Sequence, residues 1–600
     1  MSRRPTSRAH RRLSLWRLLR ANLYDFGLLL RESWLALAGF AIVALLSTLY
    51  LALLYPGTPE SPRPEGPAEA LYETLKLLTL QSGLAFPREA LGGVIFFLTP
   101  LLGLALVVQS VLNFGRLLLD KGSRREAWQV SLASTYRGHV VVCGLGRVGV
   151  RVVEQLAAAG YEAVVVELDW GSEFVARVLA HGVPVIHGDA REPEVLRRAG
   201  VVRCRALVAA INGDLLNIEI ALGARALRPG LRTILRVFSE ELDRNLERSL
   251  GPNTAFSASA LAAPTFAAAA VSRDIDIVLP LAGTLLGVTQ LTVEPDSRLA
   301  GFVRAVEEAE EVRVLHHQTR GGRAVARSLM SQLGAGDRVT LLSQLPRIDA
   351  LRLANARGSK LDFPATASPQ PPHEAQPSVI VCGLGKVGYR VVRQLYRLSP
   401  PPRIVVVRLA DGRPEFINKI NRLEGMTTVT GDARDPEVLR QAGIDHATAV
   451  AALTADDLLN LQVGLAAREL RPDIPIVLRT FSDALAERLS DLVGIRTTYS
   501  TSALAASTLA AAAVIGDVRH AFFVGGELMA SVRFAVPESH PIAGASVAQV
   551  RDAHGAHIIA MHGAQGQVRV LPPADARITA GDEVTLLATL DTLSRVRGEA

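Results

Sequence analysis

An internal duplication constrains this 600-residue chain more than any other feature of its sequence. The stretch VVVCGLGRVGVRVVEQL over residues 140–156 returns as VIVCGLGKVGYRVVRQL over residues 379–395. GDAREPEVLRRAG over residues 188–200 likewise returns as GDARDPEVLRQAG over residues 431–443. Because the matches keep the same order in both halves, we predict two copies of one fold, joined by a proline-rich linker over residues 354–377.

Each copy opens with an apolar run, a G-x-G-x-x-G motif and a helical pattern, which together are typical of a dinucleotide-binding Rossmann fold. Glycine permits the tight turn and the close approach of backbone to phosphate, and the following helix N-terminus attracts a diphosphate. The alternative is a glycine turn kept for packing alone. The predicted cofactor-binding residues of these loops are Gly144, Gly146, Arg147, Val148 and Gly149 in the first copy, and Gly383, Gly385, Lys386, Val387 and Gly388 in the second.

The residue at the end of the second predicted strand is acidic in the first copy and basic in the second. In the first copy, Glu167 lies 18 residues beyond Gly149, where a carboxylate accepts hydrogen bonds from ribose hydroxyls, and Asp169 follows closely. In the second copy Arg408 takes that place, and arginine can meet a phosphate but cannot accept from ribose. The first copy is therefore the better candidate for a dinucleotide, whereas the second could bind a phosphorylated variant, another nucleotide or nothing.

Further polar residues fall at the ends of predicted strands, where ligands bind in this class of fold. Asp189, followed by Ala190, and Asp432 could accept from an adenine or a ribose, or could instead cap the helix that follows. Weaker candidates fall near later strands, and among them we interpret the two arginines as ion-pair partners rather than ligands: Asn212, Asn217, Arg236 and Arg479.

A smaller module follows each Rossmann half. Residues 281–345 resemble residues 525–590 in their short alternating strands and in a closing G-D-x-V-T-L-L, which indicates a small α+β subdomain. The predicted boundaries are 138–275 and 378–518 for the Rossmann subdomains, and 276–353 and 519–600 for the C-terminal subdomains.

Two stretches without any charge precede the repeat, over residues 34–55 and 90–115. A bilayer core of about 30 Å needs about 20 helical residues, so both are predicted to span a membrane. A cleaved signal peptide is the competing interpretation of the first stretch, but it is too long and lies too far from the N-terminus. Residues 1–32 carry six of the seven net positive charges, so the rest of the chain has no basic face for nucleic acid.

The positive flanks of these stretches predict that both chain termini are cytoplasmic. Between them, residues 68–78 contain good helix formers with an apolar face, and a short apolar segment follows up to residue 87. Helix, loop and second span are the layout of a re-entrant pore helix with a filter, although an ordinary outer loop is the alternative.

With these motifs in place, residues 33–600 resemble a prokaryotic two-helix potassium channel with tandem RCK domains, the regulatory domains also found in Trk systems. The resemblance rests on C-G-L-G-R-V-G, on G-D-A-x-x-P-E-V-L and on the closing G-D-x-V-T-L-L. It implies an α-helical membrane pore domain (two transmembrane helices plus a re-entrant pore helix) over 33–115, a linker over 116–137, and two α/β Rossmann-type RCK units, each with a small α+β C-terminal subdomain. It further implies a homotetramer with eight RCK units in a ring, in contact with membrane lipid, with NAD(H) or another adenine nucleotide as regulatory ligand.

The predicted filter departs from the threonine-valine-glycine-tyrosine-glycine of that family. It reads Thr79, Leu80, Gln81, Ser82 and Gly83. A cage of carbonyls needs unusual φ angles, and a left-handed Gln81 would cost about 1–2 kcal/mol per chain. Side-chain rings around a partly hydrated ion are therefore expected here. Gly103 in the second span is the predicted gating hinge, with close helix packing as the alternative.

The expected function is that of a ligand-gated monovalent cation channel subunit, with potassium as the favoured ion, in the cell (inner) membrane. An enzyme is not expected, because no Tyr-x-x-x-Lys pair follows either glycine loop, and no metal triad is expected from the histidines. The alternatives are a membrane-anchored NAD(P)-dependent oxidoreductase and a non-conducting nucleotide sensor with a degenerate pore.

Overall fold

The structure is a computed structural model that describes residues 38–58, 61–119, 121–272, 275–325, 328–356, 377–410, 414–482, 485–486, 497–563 and 566–597. The chain divides into two compact units, one formed by residues 1–136 and the other by nearly all of residues 137–600. The predicted basic segment over 1–32 and most of the predicted linker over 354–377 lie outside the described residues.

The first unit is helical. Its described helices are α1 (38–53), α2 (Pro67–Leu78), α3 (Ala90–Leu119) and α4 (Lys121–Ser134). Helix α2 confirms the helix predicted over 68–78; it begins with Pro67, whose fixed φ and missing N–H suit the first helical position. Across the described part of the chain, no helix was found with both the length and the apolar character of a membrane span. The spans over 34–55 and 90–115 stay predictions.

Hydroxyl pairs tie the first three helices of this unit, α1, α2 and α3, together. Ser47 Oγ lies 2.8 Å from Thr99 Oγ1, and Thr48 donates to Thr74 Oγ1 at 3.1 Å. Around these pairs the side chains of Tyr50, Leu51, Tyr55, Ala70, Leu77 and Phe96 form a buried cluster. Helix α2 therefore packs against both α1 and α3.

The second unit begins with a Rossmann subdomain. A six-stranded sheet in the order β3-β2-β1-β4-β5-β6 confirms the doubly wound fold predicted from the glycine motif. Parallel pairing of Val140 with both Ala163 and Ala206 places β1 in the middle of the sheet. The elements are β1 (Val140–Cys143), α5 (Arg147–Ala158), β2 (Ala163–Glu167), α6 (Glu173–Ala180), β3 (Val185–His187), α7 (Pro193–Arg198), β4 (Ala206–Ala209), α8 (Asp214–Leu227), β5 (Arg232–Arg236), α9 (Glu240–Leu250), β6 (Ala255–Phe256) and α10 (Ala258–Val271).

A small antiparallel subdomain follows, with a four-stranded sheet in the order β10-β12-β8-β7. In its closing G-D turn, Asp337 accepts from Gly334 N at 2.9 Å and from the buried His317 Nε2 at 2.8 Å. The elements are β7 (Ile277–Leu281), β8 (Thr284–Thr292), β9 (Gly301–Phe302), α11 (Val303–Glu310), β10 (Arg313–Gln318), β11 (Gln332–Leu333), β12 (Arg338–Gln344) and α12 (Leu345–Ala356).

The second Rossmann subdomain repeats the first, with the strand order β15-β14-β13-β16-β17-β18. Its elements are β13 (Ser378–Cys382), α13 (Lys386–Tyr396), β14 (Arg403–Arg408), α14 (Pro414–Ile420), β15 (Met426–Thr430), α15 (Pro436–Gln441), β16 (Ala449–Ala452), α16 (Asp457–Leu470), β17 (Ile476–Arg479), β18 (Thr498–Tyr499) and α17 (Thr501–Ile515).

The second C-terminal subdomain has the strand order β19-β20-β23-β21-β22. The strands β19, β20, β23 and β21 correspond to β7, β8, β12 and β10 of the first subdomain, and β22 is an additional edge strand. Its elements are β19 (Val518–Val524), β20 (Glu527–Ala535), α18 (Val547–His554), β21 (His557–His562), β22 (Val568–Val570), β23 (Glu583–Thr589) and α19 (Leu590–Val596).

Alanine-rich helices join the two copies. Helix α10 packs on α13 of the second copy, α17 packs on α5 of the first, and α10 also contacts α17. Small side chains let these backbones approach closely, and Phe266 fills the remaining space with no exposed surface. Ala262 and Ala267 belong to the same buried cluster as Val387 and Val391, so the two Rossmann subdomains share one core.

His520 on β19 makes stability depend on pH. Burial, with the charge of Arg519, lowers the pKa of its imidazole from 6.5 to about 4. Between these values the unfolded chain binds a proton that the folded chain excludes, so stability is lost as the pH falls from 6.5 toward 4. We expect a loss of about 3 kcal/mol over this window. Urea denaturation of the full chain measures it, and His520→Gln should flatten the profile; an unchanged slope in that variant would contradict the assignment.

Candidate functional site

A cleft of about 760 Å³ opens at the carboxyl ends of the strands in the first Rossmann subdomain. The first copy lines it with its glycine loop and with Glu167, Asp189 and Arg236. The second copy adds Lys386 and Arg479 to the same cleft. The site is therefore built from both halves of the repeat, at the edge of the sheet where ligands bind in this fold.

The three glycines of the first glycine loop are required for different reasons. Gly144 has a φ of +90°, and a Cβ on Gly149 would lie 1.9 Å from the Gly144 carbonyl oxygen, so turn and packing demand glycine at both positions. A Cβ on Gly146 would meet nothing within 4 Å. The turn and the packing of the loop thus explain the glycines at 144 and 149 without any ligand. No such reason requires glycine at 146, where the missing side chain leaves the N-terminus of α5 open toward the cleft, so that a phosphate can approach the backbone.

The Glu167 carboxylate forms a hydrogen bond with the backbone of the glycine loop. Its Oε2 accepts from the backbone N–H of Leu145, and its Oε1 accepts from Asp169 N at 2.8 Å. Each carboxylate oxygen has a second acceptor position, so a ribose hydroxyl can still bind there. Asp169 turns away, and its Oδ1 accepts from Gly171 N at 3.0 Å.

Asp189 lies in the cleft beside Ala190 and forms an ion pair with Arg191, with 2.6 Å between Oδ2 and Nη2. The Arg191 guanidinium holds the pKa of the Asp189 carboxyl below its usual range. Helix α7 begins at Pro193 with Glu192 in the capping position, so the helix-capping alternative for Asp189 is wrong.

The equivalent residue of the second copy, Asp432, forms the same ion pair, with Arg434 at 2.6 Å. Arg434 lowers the pKa of the Asp432 carboxyl through this hydrogen bond. The cap of helix α15 is Asp435, whose Oδ1 accepts from Glu437 N at 2.9 Å, so Asp432 is not the cap either.

Asn217 is fully buried and acts on the backbone. Its Oδ1 accepts from Ile211 N at 3.0 Å, and its Nδ2 donates to Ile211 O and Arg236 O at 2.8 and 2.7 Å. It therefore fixes the loops around the cleft and does not face a ligand. Asn212 lines the cleft, and its Oδ1 accepts from Arg236 Nη2 at 3.3 Å.

Arg236 and Arg479 differ from the sequence-based interpretation. Arg236 Nη1 donates to Ala210 O at 3.4 Å, and Arg479 Nη1 donates to Thr454 O at 2.9 Å. Within the described ranges, neither guanidinium forms an ion pair with a carboxylate, so their interpretation as ion-pair partners is wrong. Both instead line the cleft.

The second glycine loop has the same backbone as the first. Gly383 has a φ of +99°, a Cβ on Gly388 would lie 2.0 Å from Gly383 O, and a Cβ on Gly385 would meet nothing within 4 Å. Its Lys386 and Val387 line the cleft of the first copy. Arg408 Nη1 donates to Leu409 O at 3.1 Å.

The two loops also cross over to each other's copy. Arg147 donates to Ala455 O at 3.1 Å and stacks over Phe481 at 5.4 Å from the ring centre, while Lys386 lies 4.8 Å from the ring centre of Phe238. Val148, next to Arg147, is buried under the loop. Sequence reasoning missed this exchange, although the repeat itself is the signal of a pseudo-twofold arrangement.

The predicted filter follows α2 in the first unit. The left-handed residue is Leu80, with a φ of +61°, and not Gln81, whose N–H donates to Lys76 O at 2.7 Å as part of the helix end. Thr79 Oγ1 donates back to Leu75 O at 3.1 Å, and Ser82 Oγ donates to Glu73 Oε2 at 3.4 Å. The left-handed conformation expected at Gln81 therefore falls on Leu80, and the contact of Glu73 with the predicted filter was missed by the sequence analysis.

Gly103 packs against the end of α2. A Cβ there would lie 2.4 Å from Leu78 O, so this position requires glycine for close packing of α3 on the helix end. That contact supports the packing alternative. A hinge at Gly103 stays a prediction.

Comparison with known families identifies the domains. The TrkA-N domain matches residues 140–258 and 379–501, and the TrkA-C domain matches residues 532–599. The chain belongs to the proteins with tandem TrkA-N domains and a TrkA-C domain. This result confirms the RCK resemblance, since these are the RCK domains of Trk and potassium-channel proteins.

Relatives of this RCK protein have names from potassium transport. A Trk system potassium uptake protein TrkA homolog from Archaeoglobus fulgidus is 27% identical over 342 residues, which cover 56% of this chain and 72% of the relative. A probable potassium channel protein 2 from Methanocaldococcus jannaschii is 26% identical over 173 residues, or 28% of this chain and 48% of the relative.

Solved structures of the GsuK channel have a similar fold. The structure described as the GsuK channel matches 96% of this chain and 100% of its own, with a TM-score of 0.56 and 18% identity. The structure of the GsuK channel bound to NAD matches 96% of this chain and 99% of its own, with a TM-score of 0.53 and 19% identity. The RCK protein therefore has a fold that occurs in a channel.

Proposed function

We propose that this RCK protein is a ligand-gated monovalent cation channel subunit, with potassium as the ion, whose cytoplasmic domains sense NAD(H) or another adenine nucleotide. The observation that carries the proposal is the cleft of about 760 Å³, where Gly146 opens the N-terminus of α5 beside Glu167. The names of its relatives in potassium transport and the likeness to a channel fold support the choice of ion and of pore.

In this proposal the chain lies in the cell (inner) membrane with both termini cytoplasmic, and residues 33–115 form one quarter of a pore. The basic residues before residue 33 support this orientation. The polar side chains at the α2 end, Thr79, Gln81 and Ser82, would face the ion as rings of hydroxyl and amide groups. The packed cluster around Tyr55 and Phe96 holds α2 in place for that role.

Nucleotide binding can shift such a channel only if the ligand prefers one state of the ring. The cleft offers that preference, because its walls come from both copies and a ligand between them changes the free energy of their packing. Four chains would place eight RCK units in a ring, and residues 116–137 would transmit a change in its width to the pore.

Flux of K⁺ and Na⁺ into liposomes with the purified full chain, with and without NADH and ATP, tests the proposal. We expect K⁺ flux that at least one of these nucleotides changes several-fold, and a tetramer by mass. Nucleotide binding without any flux would favour the non-conducting sensor. Oxidation of NADH with an added acceptor would favour the oxidoreductase, and either outcome would overturn the channel.

A further inference from the structure

Two equivalent arginines from the two copies meet in one cleft. Arg236 closes β5 of the first copy and Arg479 closes β17 of the second, each inside an R-x-F-S sequence. Both line the cleft that holds the first glycine loop. The reciprocal contacts of the copies fix them there, because Arg151 donates to Phe481 O at 2.9 Å and Arg390 donates to Phe238 O at 2.6 Å.

Among the described residues, the guanidinium groups of this pair keep N–H donors that form no hydrogen bond. Each has five N–H groups, and its hydrogen bonds go to the Ala210 and Thr454 carbonyls and to the Asn212 side chain. The nearest carboxylates are already engaged by backbone donors. Asp214 accepts from Phe238 N at 3.0 Å, and Asp457 accepts from Phe481 N at 2.8 Å.

The positive charge at this end of the cleft is only partly compensated. Burial lowers the pKa of both guanidinium groups, and repulsion from Arg147 and Arg236 lowers that of Arg479 further, while attraction to Asp214 (for Arg236) and Asp457 (for Arg479) offsets part of this shift. Like charges in a desolvated place cost free energy unless an anion joins them. The cleft as a whole has five cationic and three acidic side chains in its lining, so it favours an anionic ligand.

We propose that Arg236 and Arg479 together bind a terminal phosphate group at the boundary between the two copies. This inference rests on the proposed function, in which Glu167 takes the ribose and Gly146 the proximal phosphates of a nucleotide. The distal end of that nucleotide then reaches β5 and the second copy. A nucleoside triphosphate places a negative group there, whereas oxidised NAD places a positively charged ring beside two arginines.

The phosphate would thus connect two halves of one chain. Arg236 belongs to the copy that holds the base, and Arg479 to the copy whose strand end carries Arg408 instead of a ribose acceptor. One ligand group held by both copies makes their packing depend on occupancy.

Calorimetric binding of ATP, AMP and inorganic phosphate to the purified full chain and to Arg479→Gln tests the proposal. A guanidinium–phosphate hydrogen bond of about 1.4 kcal/mol predicts a roughly tenfold loss of ATP affinity, with AMP affinity unchanged within about twofold. Arg236→Gln should behave alike. The matched control is Arg440→Gln, an exposed arginine of the second copy that pairs with Glu437 at 3.3 Å, and it should change neither affinity.

Equal losses for ATP and AMP, or no loss for ATP, would overturn the terminal-phosphate site. Inorganic phosphate could bind the wild type but not Arg479→Gln, and ATP could fail to compete with it. That result would mean that the arginine pair binds a free anion, and it would contradict a nucleotide as the source of the phosphate group. Absence of any nucleotide binding to the wild type would instead defeat the proposed function, while the phosphate measurement would still decide whether the arginine pair binds an anion.

Discussion

We expect Gly146→Ala to abolish most nucleotide binding and leave the fold intact. The backbone at Gly146 has φ −82° and ψ −167°, which alanine adopts without strain, and the added methyl meets no atom within 4 Å. The methyl does, however, occupy the open approach to the α5 N-terminus. Loss of about two hydrogen bonds from backbone N–H to phosphate costs about 3 kcal/mol, or roughly a hundredfold in affinity.

The repeat supplies a matched control for this variant. Gly385 has nearly the same backbone, with φ −90° and ψ −165°, and its Cβ position is equally open. Gly385 lines the same cleft but at the N-terminus of α13, so if the phosphates lie only at the N-terminus of α5, Gly385→Ala retains wild-type affinity in the same calorimetric titration. Equal loss in both variants would show that the second loop also binds, and full binding by Gly146→Ala would remove the first loop from the site.

Much of this fold was predictable because its signals are local. The glycine spacing around Gly144 and Gly383 demands a strand, a tight turn and a helix within a few residues, and the sheet order of a Rossmann fold follows from that unit. The helix Pro67–Leu78 was predictable for the same reason, since its composition and its starting proline act over one turn. The position of the left-handed residue was not, because the helix ends at Leu78 as predicted but the Gln81 N–H still bonds back to Lys76 O, which places the left-handed turn on Leu80.

The candidate site was predictable only in its first-copy half. Glu167 and Gly146 lie in the cleft because each is fixed by the strand or helix beside it. Lys386 and Arg479 reach that cleft through the packing of α10 and α17 on the opposite copy, which depends on contacts more than 100 residues apart in sequence. No spacing rule encodes such a contact, and so Arg479 received the wrong interpretation.

Removal of Arg551 should produce the largest loss of stability in the second unit. Arg551 on α18 forms an ion pair with Glu307 on α11, and both side chains are almost fully buried between the two C-terminal subdomains. Arg551→Met leaves the Glu307 carboxylate without its partner in a desolvated place, which costs about 3–5 kcal/mol. Arg313 attracts the Glu307 carboxylate and offsets part of this cost, while its guanidinium donates to the carbonyls of Val312 and Pro572.

Hydrogen exchange in the full chain locates this effect. Val314 N donates to Glu307 Oε1 at 2.6 Å, so the Val314 amide should lose protection in Arg551→Met and regain most of it in the double variant with Glu307→Gln, which removes the buried charge. Arg304→Met is the matched control, since Arg304 pairs with Glu308 on the exposed side of the same helix at 3.0 Å. An exposed pair contributes about 1 kcal/mol or less. An equal loss of Val314 protection in Arg551→Met and Arg304→Met would mean that the buried ion pair does not stabilise the contact between the two C-terminal subdomains. A much larger loss in Arg551→Met would mean that this ion pair couples the two subdomains energetically.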